Sequence, residues 1–243
     1  MQFGLNLGNG GPSADPRTMA DLAELAEQSG WDGVFLEDYI VYQNKTGTPT
    51  YDPWICLAAM AMHTQRIRLG TTVTPLPRRR VAAMLDEGLN VLVGLWSGEP
   101  FTYQGRFYQA DDVMLVPRPV QTPRIPIWIG GQYPKPGPIR RAARWDGSCM
   151  FISTSYSATG ITQRDWTSDD VRAFLAMVAE VRPDGAEHYD MAVGGRARKA
   201  DWEAERALIE AVGSAGATWW IEWVKPADRR TMEAAIAGGP LSI

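Results

Sequence analysis

The sequence predicts an α/β fold built on a parallel sheet or barrel, and three observations carry that expectation. Seven short apolar runs recur along the chain: FGLNLG (Phe3–Gly8), GVFLED (Gly33–Asp38), IRLGTTV (Ile67–Val73), PIWIGG (Pro126–Gly131), GSCMF (Gly147–Phe151), DMAVGG (Asp190–Gly195) and WWIEW (Trp219–Trp223). Most are followed by a stretch whose apolar residues recur at helical spacing. Two of them, IRLGTTV and PIWIGG, end in threonine or glycine clusters. Alternating strands and helices close a parallel sheet, and in such folds the chemistry gathers at the carboxyl ends of the strands.

The elements follow in order. Asp15-Pro16 opens the first helix, with an acid at the N-cap and proline at the first helical position. Met19, Leu22, Leu25 and Ala26 form its apolar stripe. Gly30 stops it, and Trp31-Asp32-Gly33 turns into the second strand. Gly47 to Thr50 is a loop. Asp52-Pro53 repeats the helix start, with Trp54, Leu57, Ala58 and Ala61 as the expected inward stripe. After the third strand Pro75 and Pro77 break regular structure, and Arg78-Arg79-Arg80 follow. Val81 to Trp96 is a helix with Met84, Leu85, Leu89, Leu92 and Leu95 on one side. Residues 97–126 form an irregular insertion. It contains a hairpin-like piece, FTYQGRFYQ, turning at Gln104-Gly105, and a stiff, extended proline-rich tract from Pro117 to Pro126, expected to pack over one barrel face. Further helices are expected at Pro138–Trp145, Ser168–Arg182, Asp201–Ser214 and Ala227–Ala237. The whole chain, 1–243, reads as a single domain.

Composition narrows the class. A chain of 243 residues fits one barrel and can bury a sizeable core. The net charge of −4 and the lack of a long basic run argue against nucleic acid or an anionic membrane as partner. No stretch approaches a membrane span, and no charged-then-apolar leader is visible, so a cytoplasmic location is the expectation. Cys56 and Cys149 stand alone in apolar settings and read as reduced core residues. Clustered metal ligands are absent. His63 and His188 both fall on connections at the far face, so neither a metal site nor a Ser-His-Asp hydrolase is supported. No G-x-G-x-x-G opens a helix after a strand, which removes a Rossmann dinucleotide site.

Three runs then point to a family. IRLGTTVTPLPRRR, LVGLWSGEPFTYQGRFYQ and VPRPVQTPRIPIWIGG resemble the bacterial luciferase-like monooxygenases, flavin-dependent oxidoreductases with a TIM (β/α)8 barrel; RAARWDG (Arg141–Gly147) resembles the family's passage into its sixth strand. The resemblance runs from Phe3 to about Trp223. Two departures stand out. The fourth βα unit is missing: the turn at Arg80 leads directly into the helix at Val81. This is either a natural deletion or a segment the full chain carries and this sequence lacks. The second is the expectation here, because an open barrel exposes an unpaired strand edge. In addition, Asp38-Tyr39 stands where many relatives carry Asp-His beside the flavin. Tyrosine is a poor base near neutral pH, with an ordinary pKa of about 10.

Strand ends supply the candidate site residues. Glu37, Asp38 and Tyr39 are the catalytic candidates at the end of the second strand. Asn6, Asp38, Thr71, Thr72, Gly130, Gly131, Ser153 and Thr154 are the cofactor-binding candidates. Gly130-Gly131 is either a turn or, as the resemblance implies, the flavin phosphate region. Thr71-Thr72 is either ordinary β-branched strand or, by the resemblance, a contact to the isoalloxazine ring. Glu37 and Asp38 either cap and pair locally or touch ring and substrate. Arg78–Arg80 are read as solvated, with an anionic cofactor tail as the alternative. Ser153 and Thr154 are expected just after their strand.

The resemblance implies a monooxygenase in which reduced FMN, supplied by a separate reductase or by NAD(P)H, activates oxygen against a small organic substrate. The alternatives are hydride transfer by coenzyme F420 and a shortened barrel that binds flavin without turnover. The resemblance also implies a homodimer, with Leu57, Met60 and Met62 as the candidate surface.

Overall fold

A computed structural model of the protein describes residues 1–39, 42, 47–74, 81–157, 160–182 and 186–241. Arg78–Arg80 and the junction before Val81 lie at or beyond the edge of the described residues. Along the chain the elements are β1 (Gln2–Leu7), α1 (Pro16–Gln28), β2 (Gly33–Leu36), α2 (Pro53–His63), β3 (Arg68–Thr71), α3 (Val81–Leu95), β4 (Phe101–Gln104), β5 (Gln109–Val113), β6 (Trp128–Tyr133), α4 (Pro136–Ala142), β7 (Gly147–Ser157), β8 (Gly160–Arg164), α5 (Ser168–Ala179), β9 (Asp190–Arg196), α6 (Trp202–Ser214), β10 (Trp219–Val224) and α7 (Arg229–Ala237). They fall into two compact units, Met1–Thr74 with Trp128–Ile243, and Pro75–Ile127.

All seven apolar runs become the parallel strands of the larger unit, in the order β3-β2-β1-β10-β9-β7-β6. The helix caps are as the sequence demands. Asp15 accepts from the N–H groups of Arg17 and Thr18, and Asp52 from those of Trp54 and Ile55, each with proline in the first turn. Gly30 adopts φ +86°, which lets the chain leave α1 and enter β2. The sheet is curled. The ring of Phe35 on β2 lies 5.5 Å from that of Trp128 on β6, and a Cβ on Gly130 would come 2.8 Å from Cγ1 of Val73, just past β3. The two outer strands are therefore brought together where a fourth unit would stand. This is the expected (β/α)8-type barrel, lacking its fourth βα unit.

Three sequence expectations are corrected. Strand β7 runs on to Ser157 and folds back antiparallel on β8, so Ser153 and Thr154 lie inside a strand rather than after one. Gly130 and Gly131 sit in the middle of β6, which continues to Tyr133. On α2 the buried residues are Pro53, Cys56 and Met60, while Trp54, Ala58 and Ala61 are exposed. That helix is apolar nearly all round, so its sequence carries no phase from which the inward stripe can be read.

The interior is filled by Phe35, Ala192, Trp219 and Ile221, with Trp128 and Cys149 packed against them. Gly4 and Gly33 make room: a Cβ on either would meet the Phe35 ring at 2.8–2.9 Å. At the amino ends of the strands, Asp190 accepts from the indole N–H of Trp128 at 3.1 Å and of Trp219 at 3.3 Å. Arg68 approaches Asp190 at 3.9 Å and lies over the Trp219 ring. One carboxylate thus satisfies two buried indoles and closes the floor of the barrel.

In the smaller unit α3 carries Glu87, whose carboxylate accepts from the N–H groups of Arg106, Phe107 and Tyr108 at 2.8–3.3 Å and pins the β4–β5 turn. The tract from Pro117 to Pro126 contains neither helix nor strand.

Candidate functional site at the carboxyl ends of the strands

Strand register decides which candidates face the interior. Phe35 belongs to the core, and the β2–β1 ladder continues one step past β2, with the Glu37 N–H donating to Leu7 O. Glu37 therefore shares the Phe35 face. The Thr72 N–H likewise donates to Leu36 O and extends the β3 ladder. Asn6 pairs with Trp223 across the β1–β10 register, two residues beyond Gly4 and Ile221. Asn6, Glu37, Thr72 and Trp223 consequently form one inward layer at the carboxyl mouth.

These groups are wired together. Thr72 donates its hydroxyl to Asn6 Oδ1 at 2.7 Å. That engages the carbonyl side of the amide and leaves its NH2 as the donor to Glu37. Tyr42 donates a second hydrogen bond to Glu37. Tyr42 is itself buried, its ring set over Gly8 and Gly10. A Cβ on Gly8 would fall within 2.4 Å of the phenolic oxygen. Asn9, fully buried, donates to the carbonyls of Tyr39 and Tyr51 at 2.9 Å and accepts from the Tyr39 N–H, tying those two residues together.

Glu37 is half-buried and is held differently from the buried acids. Its Oε2 is buried and has no hydrogen-bond partner among the described residues. Burial pushes its carboxyl above the usual range, opposed by the hydrogen bonds from Tyr42 and Asn6. The indole N–H of Trp223, in the same layer, is also buried without a partner. By contrast, Glu222 points outward from β10 and is held by both arms of Arg198 at 2.9 Å. Glu205 on α6 is held by Arg196.

The remaining candidates separate. Asp38 follows Glu37 and is half-buried; Tyr39 is 40% exposed. The Tyr39 phenol is pushed up by burial and by the nearby Glu37 charge. Thr71 faces away from the interior and shares a hydrogen bond with Thr74 at 2.8 Å. The Thr72–Val73 peptide is cis. Gly130 is fitted against Val73, and a Cβ on Gly131 would meet Pro138 of α4 at 2.8 Å, so close packing alone requires both glycines. Ser153 is hydrogen-bonded to Gln132 of β6 on the inward face; Thr154 is exposed and donates to Thr162 O. The sequence reading missed Gln132, Tyr42 and Trp223. Gln132 and Trp223 keep the alternation of their strands, which was the signal that could have found them; Tyr42 lies in a loop and carried none. A depression of about 520 Å3 between α1 and α7, lined by Asp21, Glu24 and Arg229 among others, contains none of the candidates. Among the described residues no group of His, Cys, Asp and Glu could hold a metal ion, and no helix is long and apolar enough to cross a membrane.

A curled parallel sheet with polar side chains at its carboxyl mouth defines a barrel of the (β/α)8 type. The profile of the luciferase-like monooxygenases matches residues 1–85 and 79–178, and the chain belongs to that family. Among curated relatives, an F420-dependent glucose-6-phosphate dehydrogenase of Nakamurella multipartita is 31% identical over 193 residues, covering 60% of this chain and 54% of the relative. An FMNH2-dependent dimethylsulfone monooxygenase of Pseudomonas putida is 29% identical over 133 residues, covering 54% of this chain and 32% of the relative. This chain thus spans about half or less of the length of these two relatives. Among solved structures, coenzyme F420-dependent tetrahydromethanopterin reductase from Methanopyrus kandleri superposes with a TM-score of 0.71 at 14% identity, over 97% of each chain, which is a likeness of fold.

Proposed function

We propose that this luciferase-like oxidoreductase binds a flavin-type ring at the carboxyl mouth of its barrel, with coenzyme F420 as the first reading and FMN as the second. The observation that carries it is the inward layer of Asn6, Glu37, Thr72 and Trp223. It offers a carboxyl oxygen and an indole N–H, each buried and without a partner among the described residues, on the inward face of the sheet on either side of β1, above a closed aromatic floor. A fused ring bearing carbonyl acceptors fits the indole N–H and leaves the carboxyl free for a substrate held against the ring. When bound, such a ring supplies two-electron redox chemistry, as hydride exchange or, for reduced FMN, as oxygen activation. The protein's part is to seat the ring and keep water out. Thr72 and Asn6 orient one another, and Tyr42, wedged over Gly8, closes the side toward the loop.

Hydride transfer with F420 is supported by the relative from Nakamurella multipartita and by the buried carboxyl, a group suited to moving a proton alongside a hydride. The FMN reading is supported by the monooxygenase relative and would bring a separate flavin reductase as partner. The apolar exposed face of α2, with Trp54 at 59%, Ile55 at 62% and Met62 at 84% exposure, supports a homodimer through that helix. Met60, expected on that surface, is instead buried.

The test is a parallel titration with F420 and FMN, read by tryptophan quenching, followed by turnover with glucose 6-phosphate and by oxygen uptake. Saturable F420 binding without oxygen uptake supports the first reading. FMN binding with oxygen uptake supports the second. Binding without any reduction or reoxidation of the ring supports the shortened, non-catalytic barrel, and binding of neither removes the proposal.

A further inference from the structure

We propose that Glu37 is the proton-transferring group of this site, working on the hydroxyl of a small alcohol, or the oxygen of the matching carbonyl, held against the ring. The inference rests on the preceding reading that the mouth seats a flavin-type ring.

Geometry selects Glu37 over its neighbours. One of its oxygens takes the hydrogen bonds from Tyr42 and Asn6, and the other, Oε2, is buried and without a partner among the described residues. The register places the carboxyl beside Thr72 and level with Gly8, where the Tyr42 phenol that donates to it fills the space a Cβ would take. Tyr39 is 40% exposed and its phenol is driven further from neutrality by burial and by the Glu37 charge, so it cannot serve as a base. Asp38 follows one residue on, where the strand alternation turns it from the inward layer. A carboxyl fixed at one oxygen and open at the other is the arrangement that a proton transfer requires. Burial raises its pKa toward the working range of such a group.

In the oxidising direction the alcohol O–H proton passes to Glu37 Oε2. With an oxidised ring bound, the C–H bond would break, its electron pair going to the ring as hydride, and the C=O bond would form. Alcohol and ring exchange two electrons, and the proton then leaves Glu37 for solvent. The reducing direction runs the same transfers backwards, with protonated Glu37 as the acid.

The deciding measurement needs no substrate. Infrared difference spectra of the ligand-free protein, recorded against pH, should show a carboxyl C=O band titrating above the ordinary glutamate range. This band is absent in Glu37→Gln and moves when F420 or FMN is added. Among the described residues the titratable groups near Glu37 are Asp38, Tyr39 and Tyr42; Asn6 of β1 and Thr72, just past β3, do not titrate. Tyr42→Phe removes a donor to the ionised form and should raise the band's midpoint further. Where isopropanol or glucose 6-phosphate turns over, Glu37→Gln should lower kcat by about 10²-fold or more and erase the limb of the kcat–pH profile that rises as the carboxyl ionises, with cofactor affinity within about threefold. A Glu37 band that cofactor leaves unmoved, or a Glu37→Gln enzyme with undiminished kcat, overturns the inference while the cofactor reading stands. Wild-type protein that binds neither ring overturns both.

Discussion

The two ends of one sheet treat their acids in opposite ways. At the amino ends Asp190 is saturated: two indole N–H groups donate to it and Arg68 lies alongside. At the carboxyl ends Glu37 keeps a buried oxygen with no partner among the described residues. A buried polar atom left unpaired costs about 1–3 kcal/mol, so a fold keeps one only where something else answers it. Buried atoms without a partner also occur at the Tyr189 hydroxyl and the Trp220 indole, so what distinguishes the mouth is that its open atom is an ionisable carboxyl oxygen on the inward face.

The largest effect should come from the floor. Trp219 is fully buried, stacks edge-on to both Phe35 and Trp128, and donates to Asp190. Trp219→Ala is expected to destabilise the protein by about 3–5 kcal/mol. Chemical denaturation measures it; a loss under 1 kcal/mol would mean that the floor is not the structural end.

A matched pair sharpens the contrast. Asp190→Asn keeps the shape but replaces an oxygen acceptor with an NH2, leaving one indole unpaired, at a cost of about 1–3 kcal/mol. Glu37→Met exchanges a half-partnered buried carboxyl for an apolar chain of similar size. It removes the unpaired Oε2 but strands the Tyr42 hydroxyl and the Asn6 NH2, two effects that oppose each other, so the thermal midpoint should fall less than in Asp190→Asn. A Glu37→Met protein as unstable as Asp190→Asn would make Glu37 a structural acid and dissolve the comparison.

A third acid, outside the barrel, shows what full pairing does at the surface. Asp170 completes the capping box of α5 with Thr167 and takes both arms of Arg164. The Arg164 guanidinium, ahead of the Thr167 bonds, holds its carboxyl down at about 2. Because the folded value lies below the unfolded one of 3.8, the contribution is fully present above pH 4 and is lost as pH falls toward 2. Asp170→Asn should therefore cost about 1 kcal/mol at neutral pH. The gap to wild type should close across that acid window. Melting curves along the pH series check it, and a gap that persists at pH 2 would deny the ionic contribution.

The sequence showed the frame more clearly than the site. Each parallel strand was legible because its apolar run is short and bounded by turn residues, and the caps at Asp15 and Asp52 were legible because an acid before proline has one local meaning. The α2 stripe was not, since an almost uniformly apolar helix has no phase. Strand β8 was missed because β7 continues into it through polar residues without alternation. In the candidate site, the strand-end positions of Asn6, Glu37 and Thr72 were legible. Their wiring was not, because the Tyr42 hydroxyl reaches Glu37 only through the room left by Gly8 and Gly10, a contact between loops that no periodicity encodes.

The smallest effect concerns the wall between floor and mouth. Cys149 packs against the interior cluster and keeps some accessible surface, yet desolvation pushes its thiol up to about 11. Cys56, on the buried face of α2, is raised to about 11 by burial and then by the charges of Asp52 and Asp15. At pH 8 such thiols are ionised to about one part in a thousand, and the thiolate is the reactive species. Native protein should therefore resist iodoacetamide at both positions, while denatured protein takes up two labels, as intact mass would read. A bound ring at the mouth should leave the native result unchanged, since Cys149 belongs to the filled interior rather than to the polar layer. Rapid labelling of Cys149 in the native protein, suppressed by cofactor, would instead extend the open mouth down to the core cluster and shrink the floor to Asp190 and its two indoles.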